Sequence, residues 1–349
     1  MVDTAAGAGP TAEDGAAAWS ASLRRQLEGL ESCHGARAGL QEDIAAYVLS
    51  GEPRAVLAEL ASRPRALSEH LRLCGFAPPL DVEALRAFYA GFSAVPPAVA
   101  MRWSQVVDAG WNDGAARHHG LSMPDGSQWA EHLLWHASTP SRGREADLRA
   151  RAVGPSADCM EALLAASGLA PQALLLAAFT LPAEMFSWVR AAALLVSDLP
   201  GFPAQLQRNL ALVRPLLAGG GVEQRAVLAE LLAQADPATL AELAPEVLEF
   251  VASGSKQVRA AAEPLLLKGG LLLAPALRKL AEKGKNEQRL HALRGLWLIA
   301  GQAGDAALQA SVRSLALADK SAAISCTAAC RSWPGCSRRR RSWTLRWPR

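Results

Sequence analysis

The chain reads as all-α: an α-solenoid of degenerate helix pairs preceded by an irregular helical region. Three observations predict this. Leu243-Ala244-Pro245 recurs as Leu273-Ala274-Pro275, and the same shift of 30 carries Gly254 onto Gly284, Arg259 onto Arg289, Ala262 onto Ala292 and Leu266 onto Leu296. A fixed period near 30 to 35 with helical content marks helix pairs stacked in an array. Composition agrees: half the 349 residues are apolar, only 5% are aromatic, and Ala and Leu supply most of the rest. Both residues lose little on entering a helix, and β-branched runs with period-2 alternation are missing.

Residues 1–15 are small, polar and Gly-rich, and the expectation is a disordered N-terminus that buries too little to offset ordering entropy. An irregular helical region spans 16–154, with helices expected at 16–30, 41–49, 53–61, 82–92, 98–110, 127–137 and 144–151. Asp81 is placed to cap the fourth, ahead of Val82, Leu85, Phe88 and Tyr89 at helical spacing. Proline pairs at Pro78-Pro79 and Pro96-Pro97 punctuate this region, and Gly154-Pro155 closes it. A repeat array follows over 155–323. Ser156 is placed to cap a helix through Leu164. Asp236-Pro237 is a stronger start, an N-cap acceptor followed by Pro at a position where its missing N–H costs nothing. Leu240, Leu243, Val247, Leu248 and Val251 then form one apolar stripe, which Pro245 is expected to kink or split.

The period extends upstream. A shift of 34 places Val213, Leu217, Gly220, Arg225 and Leu232 on Val247, Val251, Gly254, Arg259 and Leu266, and the run Val189 to Ala193 reappears as Val258 to Ala262. The marker arginines are thus Arg190, Arg225, Arg259 and Arg289, each expected to begin the second helix of a pair, with small Ala residues behind it allowing close approach. Such a start after a Gly turn resembles HEAT repeats over residues 183–323. Those repeats often carry an Asp about six residues before the Arg, forming a ladder between repeats. The positions here are Gly219, Ser253 and Lys283, so the resemblance implies a weakened ladder. The irregular front followed by short Ala/Leu-rich repeats also resembles the N-terminal part of large bacterial MolR-like proteins of unknown function.

Net charge is +3, but the seven arginines after Ile324 account for it. Without them 29 basic residues face 33 acidic ones, a net of −4. The body therefore advertises no polyanion partner. Cys33, Cys74 and Cys159 are scattered, with no disulfide-framework spacing, and are expected to be reduced thiols of a cytoplasmic protein. No uncharged apolar run reaches 18 residues, so no membrane span is expected. The longest, from Ala173 to Leu181, has the length of a core helix.

Residues 324–349 break the pattern: periodicity stops, acids vanish, and three Cys, three Trp and seven Arg crowd together. The leading expectation is a disordered basic tail arising by out-of-frame translation, with the array truncated mid-unit. A nucleic-acid or lipid-binding tail is a second reading. A zinc knot on Cys326, Cys330 and Cys336 is a third, and it lacks a fourth ligand.

One stretch concentrates unusual side chains. Between Met101 and His136 lie Trp103, Trp111, Trp129, Trp135, His118, His119, His132 and His136. His132 and His136 share a helix face at i, i+4, and Glu131 precedes the pair instead of standing inside it as in HExxH. Trp129, His132, Trp135 and His136 are the candidate binding residues, and the bland alternative is that they pack a core. The triple glycine Gly219 to Gly221 lacks the Lys-Ser/Thr of a phosphate loop and is expected to be an inter-helix turn. Five lysines (Lys256, Lys268, Lys279, Lys283 and Lys285) are interleaved with acids and read as a solvated mixed face. The marker arginines could line an anion-binding row, or bond to carbonyls at helix ends.

No catalytic constellation, metal or cofactor is expected. The resemblance implies a non-catalytic protein-interaction scaffold, a truncated N-terminal fragment of a larger HEAT-repeat protein, with a protein partner. The alternative is a HEAT-fold nucleic-acid-binding protein or DNA glycosylase, against which the body's net charge argues.

Overall fold

The computed structural model describes residues 12–33, 35–63, 65–71, 82–111, 120–138, 154–321 and 324–325. Among these every regular element is helical and no strand occurs. The all-α expectation therefore holds. The expected helix at 144–151, Asp81, Cys74, His118, His119 and the tail from Cys326 lie outside the described residues.

The chain divides into two compact units, 1–235 and 236–349. The division falls inside the repeat stretch, and Gly154-Pro155 lies within the first unit.

The first unit begins with α1 (Ala12–Leu27), which includes residues 12–15 of the segment expected to be disordered. Its stripe of Trp19, Leu23 and Leu27 is fully buried at i, i+4, i+8. A 3-10 turn (Leu30–Ser32) leads to α2 (Leu40–Ser50), α3 (Ala55–Ser62), α4 (Arg65–His70) and α5 (Val82–Ala90). The helix α4 was not anticipated, because at one and a half turns it is too short to show periodicity. Next comes α6 (Pro97–Gly110), with Pro at its first position. It buries Ala100, Trp103, Val107 and Gly110 on one stripe and packs against α2, α3 and α4, and against α7 (Gln128–Ser138) and α8 (Ala157–Ala166). At the start of α8 the Ser156 side chain accepts from Cys159 N at 3.1 Å, as the sequence predicts. The apolar run from Ala173 becomes the buried α9 (Ala173–Phe179). α10 (Ser187–Ser197), α11 (Phe202–Arg208), α12 (Leu210–Val213) and α13 (Val222–Leu232) complete the unit. α10 packs on α7, α9 and α13. The triple glycine precedes α13 as an inter-helix turn, with Gly220 in the left-handed region at φ 94.

The second unit comprises α14 (Pro237–Glu242), α15 (Ala244–Val251), α16 (Lys256–Gly269), α17 (Ala274–Lys283), α18 (Asn286–Ala303) and α19 (Ala306–Leu317). Pro237 opens α14, although Asp236 makes no side-chain cap bond. The expected split at Pro245 is present: α14 ends, and α15 restarts with Pro245 at its second residue, as α17 does with Pro275. Leu240, Leu243, Val247 and Val251 are buried, while Leu248 is half-buried and Phe250 takes the place expected of it. α15 packs on α16 and α17 on α18, and α16 lies against α18 as α15 lies against α17.

The helical stretch Lys256–Lys283 contains an 18-residue window of mean hydropathy 1.3, of which 33% is buried. A 3-10 turn at Gly270–Leu273 divides it into α16 and α17, each shorter than the roughly 20 residues a membrane-spanning helix needs.

Candidate functional site

The histidine and tryptophan residues of α7 converge with α5 and α6 in the first unit. α7 carries Trp129, Glu131, His132 and His136 as buried side chains, with Trp135 half-buried. His132 and His136 do not act as a pair. His132 Nδ1 lies 2.6 Å from Asp108 Oδ1 on α6, and the ring stacks under Trp111 with centroids 4.5 Å apart and planes within 9°. His136 Nδ1 lies 2.6 Å from the Tyr89 hydroxyl on α5. One turn of helix thus sends the two imidazoles to different neighbours. Among the described residues no group of three or more His, Cys, Asp or Glu is placed to hold a metal ion.

One of the Tyr89 bonds has a fixed direction. An indole N–H can only donate, so Trp103 Nε1 donates to the Tyr89 oxygen at 3.3 Å. The second joins that oxygen to His136 Nδ1, with the proton on whichever side the imidazole tautomer sets. Burial holds the Tyr89 phenol far above its ordinary pKa, slightly offset by the Trp103 bond. Phe88 and Phe92 close the cluster edge-on and tilted around Tyr89 and Trp103. An interior of this kind is a packed aromatic core threaded by one relay of hydrogen bonds.

Glu131 is a buried carboxylate with a structural task. Its Oε1 accepts from Gly120 N at 2.6 Å and Trp135 Nε1 at 3.1 Å, and its Oε2 accepts from Leu121 N at 3.1 Å. Three donors satisfy a charge that would otherwise be costly at 2% exposure. The bonds pin residues 120–121 against α7, where only glycine fits: a methyl at Gly120 would come 2.6 Å from Ala192 Cβ and 2.9 Å from Trp188 O.

The marker arginines share a structural position. Arg190, Arg225, Arg259 and Arg289 are each the fourth residue of their helix, α10, α13, α16 and α18. Each backbone N–H makes the first helical bond to the residue before the helix: Phe186, Gly221, Ser255 and Lys285. Three residues on, Ala193, Leu228, Ala262 and Ala292 are buried in turn. Two of the side chains close their own turn, as the carbonyl-bonding reading expects. Arg259 Nη1 donates to Ser253 O at 2.6 Å and Gly254 O at 2.9 Å, and Arg289 Nη1 donates to Gly284 O at 3.1 Å. Two meet carboxylates: Arg190 with Glu230 on α13, and Arg289 with Asp319. The five lysines are all exposed.

Sequence reasoning passed over Asp108 and Tyr89, whose partners lie far away in the chain, and also missed a surface groove of about 800 Å³ in the first unit. Tyr47, Gly51, Arg54, Met101, Arg102 and Gln105 line it. Its polar wall is largely committed internally. Tyr47 donates to Gln105 Oε1 at 2.6 Å, and Arg102 donates to Val48 O at 2.7 Å and Leu49 O at 2.8 Å, closing the end of α2. No family model, curated protein or solved structure matches this chain.

Proposed function

We propose that this chain is a non-catalytic protein-interaction scaffold, with HEAT-like helix pairs building an α-solenoid. The supporting observation is the packing of the second unit, where first helix meets first helix (α15, α17) and second meets second (α16, α18). Pairs stacked in this way generate extended surfaces suited to a protein partner. Asp108 and Trp111 engage His132, Tyr89 engages His136, Glu131 engages Trp135, and Trp129 is buried, which favours a packing role for all four. The body's net −4 fits a protein partner better than a polyanion.

The test is in-cell cross-linking of the tagged full chain, followed by nuclease treatment and purification. The wild type is compared with a variant carrying Lys268→Glu and Arg294→Glu, both exposed on the second helices of the second unit. The scaffold reading expects one protein to be recovered reproducibly with the wild type and lost with the variant. Tight, salt-dependent binding of DNA or RNA without a protein partner overturns it.

A further inference from the structure

In the first unit the turn after α1 brings a thiol to an imidazole. Cys33 follows the 3-10 turn Leu30–Ser32, and its Sγ lies 3.9 Å from Nδ1 of His70, the last residue of α4. The other ring nitrogen, Nε2, lies 2.8 Å from the Gln26 carbonyl oxygen on α1. A carbonyl can only accept, so Nε2 carries the ring proton. In the neutral ring Nδ1 is therefore the acceptor, and it faces the sulfur. A nucleophile, a base and a third group that fixes the base's tautomer are the three parts of an activated thiol.

The arrangement is held from both sides. Leu67 and Leu71 of the α4 segment are buried, and a methyl at Gly110 of α6 would overlap Leu67, so α4 is seated directly on the α6 backbone. Leu27 and Leu30 are fully buried on the other side. Cys33 itself is half-buried. Cys159 supplies an internal contrast. Burial pushes its thiol up to about 11, against a Ser93 hydrogen bond that acts the other way.

We propose that Cys33 and His70 form an activated thiol at which hydroperoxides are reduced. This rests on the pair's geometry and is independent of the scaffold reading. The thiol proton passes to His70 Nδ1, giving a thiolate beside an imidazolium that still donates to Gln26 O. The sulfur lone pair attacks the terminal peroxide oxygen, the S–O bond forms and the O–O bond breaks. The departing alkoxide, or hydroxide from hydrogen peroxide, takes the proton from His70. Sulfur loses two electrons and the peroxide gains two, so thiol and hydroperoxide become sulfenic acid and alcohol or water.

The experiment treats the full reduced chain with hydrogen peroxide, traps sulfenic acid with dimedone, and follows each cysteine by peptide mass spectrometry. In the wild type Cys33 is expected to react about tenfold faster than Cys159. In His70→Gln the Cys33 rate is expected to fall about tenfold, with the Cys159 rate unchanged. Equal wild-type rates at the two cysteines overturn the proposal, as does an unaltered Cys33 rate in His70→Gln. If the variant unfolds, which a rise at Cys159 reveals, the wild-type Cys33 rate is compared instead with that of the chain unfolded in urea, and a folded rate no faster than the unfolded one overturns the proposal.

Discussion

Arg289 grips Asp319 with two parallel hydrogen bonds, Nε to Oδ2 at 2.8 Å and Nη2 to Oδ1 at 2.9 Å, while its third arm holds the Gly284 carbonyl. Asp319 stands six residues before Ser325, close to where the spacing of the marker arginines places the next one. It occupies the position filled by Gly219, Ser253 and Lys283 earlier in the chain. The Arg289–Asp319 pair thus joins α18 to the turn after α19.

That ion pair sets an acid limit. The Arg289 bonds, helped by Ser321 N, hold the Asp319 pKa below the ordinary carboxylate value, against a burial effect of opposite sign. A depressed folded pKa stabilises the fold above the unfolded value of about 4, and that contribution is lost as pH falls through the folded value. Asp319→Asn is expected to lower Tm by roughly 2–4 °C at neutral pH and to flatten the stability loss below about pH 4. Thermal unfolding followed across pH checks both.

The chain has two tyrosines, Tyr47 and Tyr89, and burial raises the pKa of both. A raised folded pKa means that the unfolded state releases its proton first. Stability is then intact below the unfolded value of about 10 and declines as pH climbs beyond it. Ultraviolet difference absorbance is expected to show less tyrosinate at about pH 10.5 in the folded protein than in the chain unfolded by urea. Equal tyrosinate fractions in the two states would contradict the burial described for both residues.

Tyr89→Phe removes the atom that joins Trp103 to His136. The indole N–H and the imidazole nitrogen then sit in the core without their shared partner, at an expected cost of about 1–3 kcal/mol. Urea denaturation monitored by tryptophan fluorescence measures it.

Glu131→Gln and Gly120→Ala strike the two sides of one contact. The first leaves an amide where three N–H groups expect a carboxylate, and about 2–3 kcal/mol is expected to be lost. The second drives a methyl into Ala192 and the Trp188 carbonyl, at about 1–3 kcal/mol. Because both loosen the 120–121 segment, the double variant should lose less than the sum of the two single losses. Strict additivity in denaturant titrations would show that Glu131 does not act through that segment.

Helices with a strong stripe or a definite start were legible in the sequence. Ser156, Pro237 and Pro245 fixed boundaries because capping and proline geometry act within a few residues. The four arginines were legible because recurrence at fixed spacing needs no knowledge of the fold. The histidine cluster was seen as a concentration of side chains, but its wiring was not. Asp108 meets His132 across 24 positions, and Tyr89 meets His136 across 47. Contacts of that span depend on how α5, α6 and α7 pack, which local periodicity does not encode. The Cys33 and His70 pair was hidden for the same reason, with 37 positions between them.

Arg259 and Arg289 each fasten the corner from which their own helix springs. Arg259 closes its corner through Ser253 and Gly254, whereas Arg289 also leans on Asp319 thirty positions on. Cutting the chain after α19 would leave the first clasp whole and strip the second of its longer-reaching half.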